Sequence, residues 1–167
     1  MTIEEAIKTA IEYETRIRDI YRQAQASEAD EVGNRIFETL AKDEQHHIDY
    51  LRHKLAQLAK TGEIDAERLD STVPYGETLD RESARVKSMM TKNFLGIRRQ
   101  MLSKALEAEI ETSDFYRKMV DELPAESKAL FARFLEIENN HIKAVQFELD
   151  YLSKTGYWFD IKEFDME

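Results

Sequence analysis

The sequence predicts an all-α fold, a four-helix bundle of two antiparallel helical hairpins joined by a long crossover. Composition is the first reason. Only 5 of 167 residues are Gly and 2 are Pro, while Ala, Glu, Leu, Ile and Lys abound, which favours helix. Periodicity is the second: four long segments carry apolar residues at steps of three and four. An internal repeat is the third. Glu14, Tyr21 and Glu44-Gln45-His46-His47 reappear as Glu109, Tyr116 and Glu138-Asn139-Asn140-His141. The tyrosine follows the lone glutamate by 7 residues in both copies, and the second glutamate follows by 30 and 29. Leu58-Ala59-Lys60-Thr61-Gly62 is echoed 94 residues later by Leu152-Ser153-Lys154-Thr155-Gly156.

The first helix is expected over about 2–26, with Ile3, Ile7, Ala10, Glu14, Ile17, Tyr21 and Ala24 along one face. The second, about 28–61, carries Phe37, Leu40, Glu44, His47, Leu51, Leu55 and Leu58. The turn between them lies near residue 29 if Glu14 and Glu44 face each other. Ser27-Glu28-Ala29-Asp30 stands there, a Ser-x-x-Asp pattern resembling a capping box. The third helix, about 96–122, carries Leu102, Ala105, Glu109, Thr112, Tyr116, Met119 and Leu123. The fourth, about 125–154, carries Phe131, Phe134, Glu138, His141, Val145, Leu149 and Leu152. The turn separating them falls at Pro124, suited to the first turn of a new helix. Gly62 and Gly156 suit the C-terminal caps of the second and fourth helices.

Residues 63–93 read as the crossover. They contain a loop over 71–76 and a short helix from Leu79 to Met90. The tail, 157–167, holds Tyr157, Trp158, Phe159 and Phe164 and is expected to pack back on the bundle or on a partner subunit. The whole chain, 1–167, reads as one domain, long enough for a real core.

Other functions are excluded early. With no cysteine there is no disulfide, iron–sulfur cluster or thiolate metal site. A net charge of −10 argues against nucleic acid, which selects basic faces. No segment is long and apolar enough to suggest a membrane span. The opening Met1-Thr2-Ile3-Glu4-Glu5-Ala6 lacks a basic stretch followed by an apolar run, so no signal peptide is expected and the cytoplasm is the default location.

Every apolar seam is interrupted midway by ionisable residues. Four glutamates and two histidines fall at one level: Glu14, Glu44, His47, Glu109, Glu138 and His141. Taking a carboxylate out of water costs several kcal/mol. Four of them would rival a domain's whole stability of roughly 5–15 kcal/mol. No Lys or Arg occupies the seams, so the compensating charge is expected from two divalent metal ions. A Glu and a His three residues apart lie on one helix face and can reach one ion. Loss of Glu14 or Glu109 would damage both metal positions if either carboxylate bridges them. Oxygen-rich ligation with one nitrogen per metal suits iron or manganese, with zinc as a common occupant. Tyr21 and Tyr116 lie two turns beyond the lone glutamates. They are either aromatic filler or hydroxyls bonded to a ligand carboxylate of the opposite hairpin. His46 and His53 fall off the seams and are expected in solvent; Glu12, Glu107 and Glu111 also fall off it and are reserve ligands only.

Over its whole length the chain resembles the rubrerythrin branch of the ferritin-like superfamily. The resemblance rests on Glu14 with Tyr21, Leu40-Ala41-Lys42-Asp43-Glu44-Gln45-His46-His47, Ala105-Leu106-Glu107-Ala108-Glu109 with Phe115-Tyr116, and Glu138-Asn139-Asn140-His141. It implies a ferritin-like bundle and a non-haem di-iron centre that reacts with hydrogen peroxide or dioxygen in oxidative-stress defence. Rubrerythrin itself carries a four-cysteine rubredoxin-type domain. This chain has none, so electrons would come from an external donor such as a rubredoxin-type protein. It also has Thr112 where rubrerythrin has a further glutamate. The six ligands are therefore closer to the symmetric set of bacterioferritin. Bacterioferritin, however, has a haem-binding Met where this chain has Gln45, and a fifth helix where this chain has only the short tail. Ferroxidase or iron-storage activity of ferritin type is the first alternative. A metal-stabilised interaction module without turnover is the second. A homodimer rather than a closed shell is expected, because the tail and Met89-Met90 supply apolar surface.

Overall fold

In the computed structural model residues 1–64 and 96–159 are described. They form four helices and no strand: α1 (Ile3–Ser27), α2 (Glu31–Thr61), α3 (Gly96–Glu122) and α4 (Ala125–Thr155). The expected crossover, the short helix over 79–90, Met89-Met90 and the tail from 160 onward lie outside the described residues. Among the described residues no helix is long and apolar enough to cross a membrane.

The helix ends follow from local chemistry. Thr2 caps α1 reciprocally with Glu5: the Glu5 amide donates to Thr2 Oγ1 at 3.2 Å and the Thr2 amide to Glu5 Oε2 at 2.8 Å. The next turn sits where expected, but its cap does not. α2 begins at Glu31 rather than 28, because Asp30 makes the cap: its Oδ1 accepts from the Val32 amide at 2.9 Å and the Gly33 amide at 3.1 Å. Ser27 is instead the last residue of α1, and its hydroxyl donates back to the Gln23 carbonyl. Aspartate accepts two amides at once, which a serine three residues too early cannot do. Pro124 stands just before α4 rather than in its first turn. Gly62 (φ 75°) and Gly156 (φ 80°) adopt the left-handed conformation that closes α2 and α4.

α1 packs on α2, α3 on α4, and α1 on α3. Residue 21 faces 109 and residue 116 faces 14, so α1 and α3 also run antiparallel. One consequence concerns the ends. Ile64, beyond α2, lies beside Ile3 and Ser127, whereas Arg98 at the start of α3 pairs with Glu28 at 2.9 Å. The two ends joined by residues 65–95 are thus at opposite ends of the bundle. The core is split in two by a polar layer. Tyr21, Phe37, Leu40, Leu102, Phe147 and Trp158 belong to one apolar cluster; Ile7, Leu51, Tyr116, Met119, Phe131 and Phe134 belong to the other. The described part of the tail packs back on the bundle. Trp158 meets Phe37 edge-on at 5.2 Å, and the Phe159 ring meets Phe147 at 5.1 Å.

Candidate metal centre

The polar layer between the two clusters is the predicted six-residue set. Glu14 comes from α1, Glu44 and His47 from α2, Glu109 from α3, and Glu138 and His141 from α4, all with no solvent exposure. Each helix face that packs inward must bury whatever lies on its 3.6-residue stripe. The midpoint of each stripe is a glutamate, so four carboxylates converge.

Two overlapping groups of ligand atoms result. Glu14, Glu44, His47 and Glu138 form one; Glu44, Glu109, Glu138 and His141 form the other, with the ligating atoms of each group within 4.8 Å of one another. Glu44 and Glu138, of the two Glu-x-x-His pairs, belong to both groups, and Glu14 and Glu109 to one each. Both imidazoles turn Nδ1 toward the carboxylates. His47 Nδ1 lies 3.4 Å from Glu14 and 3.4 Å from Glu44, and His141 Nδ1 lies 2.6 Å from Glu44 and 3.4 Å from Glu109. The two rings stack at 5.4 Å.

Each tyrosine reaches across to the other hairpin. Tyr21 Oη donates to Glu109 Oε1 at 2.6 Å, and Tyr116 Oη donates to Glu14 Oε1 at 2.5 Å. Burial, then the neighbouring carboxylates, pushes both phenols well above their ordinary range, so they remain neutral donors. His46, His53, Glu12, Glu107 and Glu111 point to solvent, and none joins either group.

Charge is divided unevenly without metal. Burial, followed by the charge of Glu14, holds Glu44 well above the usual carboxylate range, and Glu138 behaves alike. Burial opposes ionisation of Glu14 too, yet neutral Glu44, His47 and the Tyr116 hydroxyl outweigh it and hold Glu14 at about 2. Glu109 is lowered in the same way, beside Glu138, His141 and Tyr21. Burial disfavours a charged His47, but Glu14 and Glu44 raise it to about 10, and the carboxylates around His141 raise it likewise.

The residues fit a metal pair. Both oxygens of Glu44, both of Glu138 and Oε2 of Glu109 are buried without an aligned hydrogen bond among the described residues. Buried carboxylate oxygens in that state are costly unless an ion takes them. Each group offers three carboxylates and one imidazole nitrogen, the donor set of a first-row divalent cation.

Three buried ionisable residues within the helices escaped the sequence reading. Asp43 is 3% exposed, and its Oδ2 lies 2.7 Å from His141 Nε2 and 3.5 Å from His47 Nε2. It stands four residues before His47 and directly before Glu44, at the edge of the α2 stripe. With the two histidines it forms a third convergence of donors, on the far side of both rings. Lys54 and Glu148 are also buried, each seven residues past a site histidine. Lys54 Nζ sits 5.3 Å from the Tyr50 ring centre, and Glu148 Oε2 accepts the Phe159 amide at 3.2 Å. No protein-family model, curated protein or solved structure matches this chain.

Proposed function

We propose that this chain is a non-haem di-iron carboxylate protein of ferritin-like, rubrerythrin-like type that reduces hydrogen peroxide in oxidative-stress defence. The observation that carries the reading is the pair of overlapping Glu3His groups, sealed in the core with unsatisfied carboxylate oxygens. Iron bound in both positions supplies two one-electron donors side by side, matching the two electrons and two protons that convert hydrogen peroxide to two waters.

The chain's residues set the conditions. Glu44 and Glu138 hold the two positions together, and Glu14 and Glu109 each complete one. The Tyr116 and Tyr21 hydroxyls fix those outer carboxylates. Full burial of all six ligands restricts the oxidant to molecules of a few atoms, which suits peroxide and dioxygen. With no cysteine in this chain to hold an iron–sulfur or rubredoxin-type centre, the electrons come from an external donor, such as a rubredoxin-type protein. In this reading the protein works in the cytoplasm, and a homodimer is the assembly.

Stopped-flow mixing of iron(II)-loaded protein with each oxidant tests the activity. Fast oxidation by hydrogen peroxide, slower oxidation by dioxygen and turnover only with an added electron donor are expected. Faster reaction with dioxygen and accumulation of ferric mineral would move the function to ferroxidase and storage. No spectral change with either oxidant would make the metal structural.

A further inference from the structure

Residues 94 apart occupy equivalent places in the two hairpins: Glu44 with Glu138, His47 with His141, Gly62 with Gly156. By that rule Asp43 corresponds to Ile137. Asp43 bonds the far nitrogen of His141 at 2.7 Å. Ile137 is buried in the apolar cluster and offers no acceptor. His47 Nε2 is accordingly buried with no hydrogen bond among the described residues; Asp43 is 3.5 Å away and already committed to His141.

A carboxylate behind an imidazole fixes which ring nitrogen keeps its proton, holds the ring in place and makes the ligating nitrogen more basic. His141 has that support and His47 does not. The remaining donors are matched, since each histidine faces Glu44, Glu138 and one lone glutamate that a tyrosine holds.

We propose that the two metal positions are unequal, and that Asp43 makes them so. The position of Glu44, Glu109, Glu138 and His141 takes a divalent cation first. The position of Glu14, Glu44, Glu138 and His47 fills second and more weakly, so one tight ion and one exchangeable, different ion can share the site. Asp43 is a positioning residue that acts through His141. The inference rests on the two-metal reading and adds an order and a cause to it.

Titration of metal-free protein with manganese(II), followed by calorimetry and electron paramagnetic resonance, tests it without any turnover. The expected result is two steps separated by about tenfold or more in affinity. The six-line spectrum of an isolated ion should appear at one equivalent, and a spin-coupled pair at two. Glu109→Gln should abolish the tight step and Glu14→Gln the weak one. Asp43→Asn, which keeps the shape, should weaken the tight step about 10–100-fold and leave the weak step in place. Ile137→Asp should tighten the weak step and bring the two together. Two ions binding in one step, with a coupled spectrum from the first addition, would overturn the inequality and leave the two-metal reading standing. An Asp43→Asn protein that is folded by circular dichroism and still binds in two unchanged steps would remove Asp43 as the cause. No binding at all by the unaltered protein would overturn both.

Discussion

At the middle of the bundle the α1–α2 and α3–α4 hairpins match in all but Asp43: each gives a lone glutamate, a Glu-x-x-His pair and a tyrosine that crosses to the other hairpin. At the ends they do not. Beyond Gly156 the chain turns Trp158 onto Gly33, so closely that a Cβ there would lie 2.4 Å from the indole nitrogen. Beyond Gly62 the equivalent residue is Ile64, and the equivalent of Gly33 is Ser127; these two line one surface cavity. A large ring over a glycine on one side is exchanged for a smaller side chain near a serine on the other. The contrast teaches where the chain was free to vary. Each end needs only to fill its own volume, and several pairs of side chains can do that. The centre must balance four buried carboxylates and two imidazoles against one another, and few residues can.

The largest effect expected from breaking the comparison comes at the shared carboxylates. Glu44→Ala or Glu138→Ala removes a ligand from both groups, so metal content after reconstitution should fall from about two ions per chain toward zero. Glu14→Ala or Glu109→Ala should cost one ion only. Elemental analysis reads the difference.

Next in size is the pH dependence of the metal-free protein. His47 is raised from 6.5 to about 10, so the stability it contributes is fully present below pH 6.5 and lost as pH rises through 10. His141 is raised in the same direction. Glu44 and Glu138 are raised above 4.5, so they too favour the fold when protonated and less as pH rises. Glu14 has the opposite sign, but its contribution is lost only as pH falls from 4.5 through about 2. Across about pH 6 to 9 the Tm of metal-free protein should therefore fall, while metal-loaded protein changes little. The gain in Tm on adding metal should grow with pH. A gain that is constant or shrinks would contradict the division of protons described above.

At the ends, Trp158→Ala should cost about 3–5 kcal/mol, because a buried aromatic side chain leaves a cavity over Phe37. Gly33→Ala should cost about 1–3 kcal/mol by pushing the indole away. Ser127→Ala should be close to neutral. Urea unfolding of the three proteins sharpens the contrast between the ends, and equal losses at Gly33 and Ser127 would erase it.

Below the loss at Trp158, Tyr21→Phe and Tyr116→Phe should each cost about 1–3 kcal/mol by leaving a buried carboxylate oxygen without its donor. Twofold equivalence requires the two losses to agree within about 0.5 kcal/mol. Unequal losses would extend the asymmetry of position 43 to the tyrosines.

The buried polar layer could be read from the chain because a glutamate in an apolar stripe stands out, and four at matching intervals cannot be a local accident. The Gly62 and Gly156 caps were equally plain, since a left-handed residue after a long stripe is a local demand. Asp43 was missed because it sits one residue beside the stripe of Glu44, and sequence gives no sign of how far α2 turns that edge inward. Lys54 and Glu148 were missed for the same reason. The α2 cap was placed at Ser27 rather than Asp30 because both residues can cap. Which one does depends on where α1 stops, and α1 continues through Ser27 itself. Which carboxylates belong to both groups was not legible at all, since it depends on which of them lie between the two histidines in space.

The most direct test of the central claim is anomalous diffraction from crystals of the protein grown with manganese(II) or, without oxygen, iron(II). Two peaks should appear, one among Glu14, Glu44, His47 and Glu138 and the other among Glu44, Glu109, Glu138 and His141, with Glu44 and Glu138 touching both. A single peak on the far side of the rings at Asp43, His47 and His141, or no peak among the six residues, would contradict it.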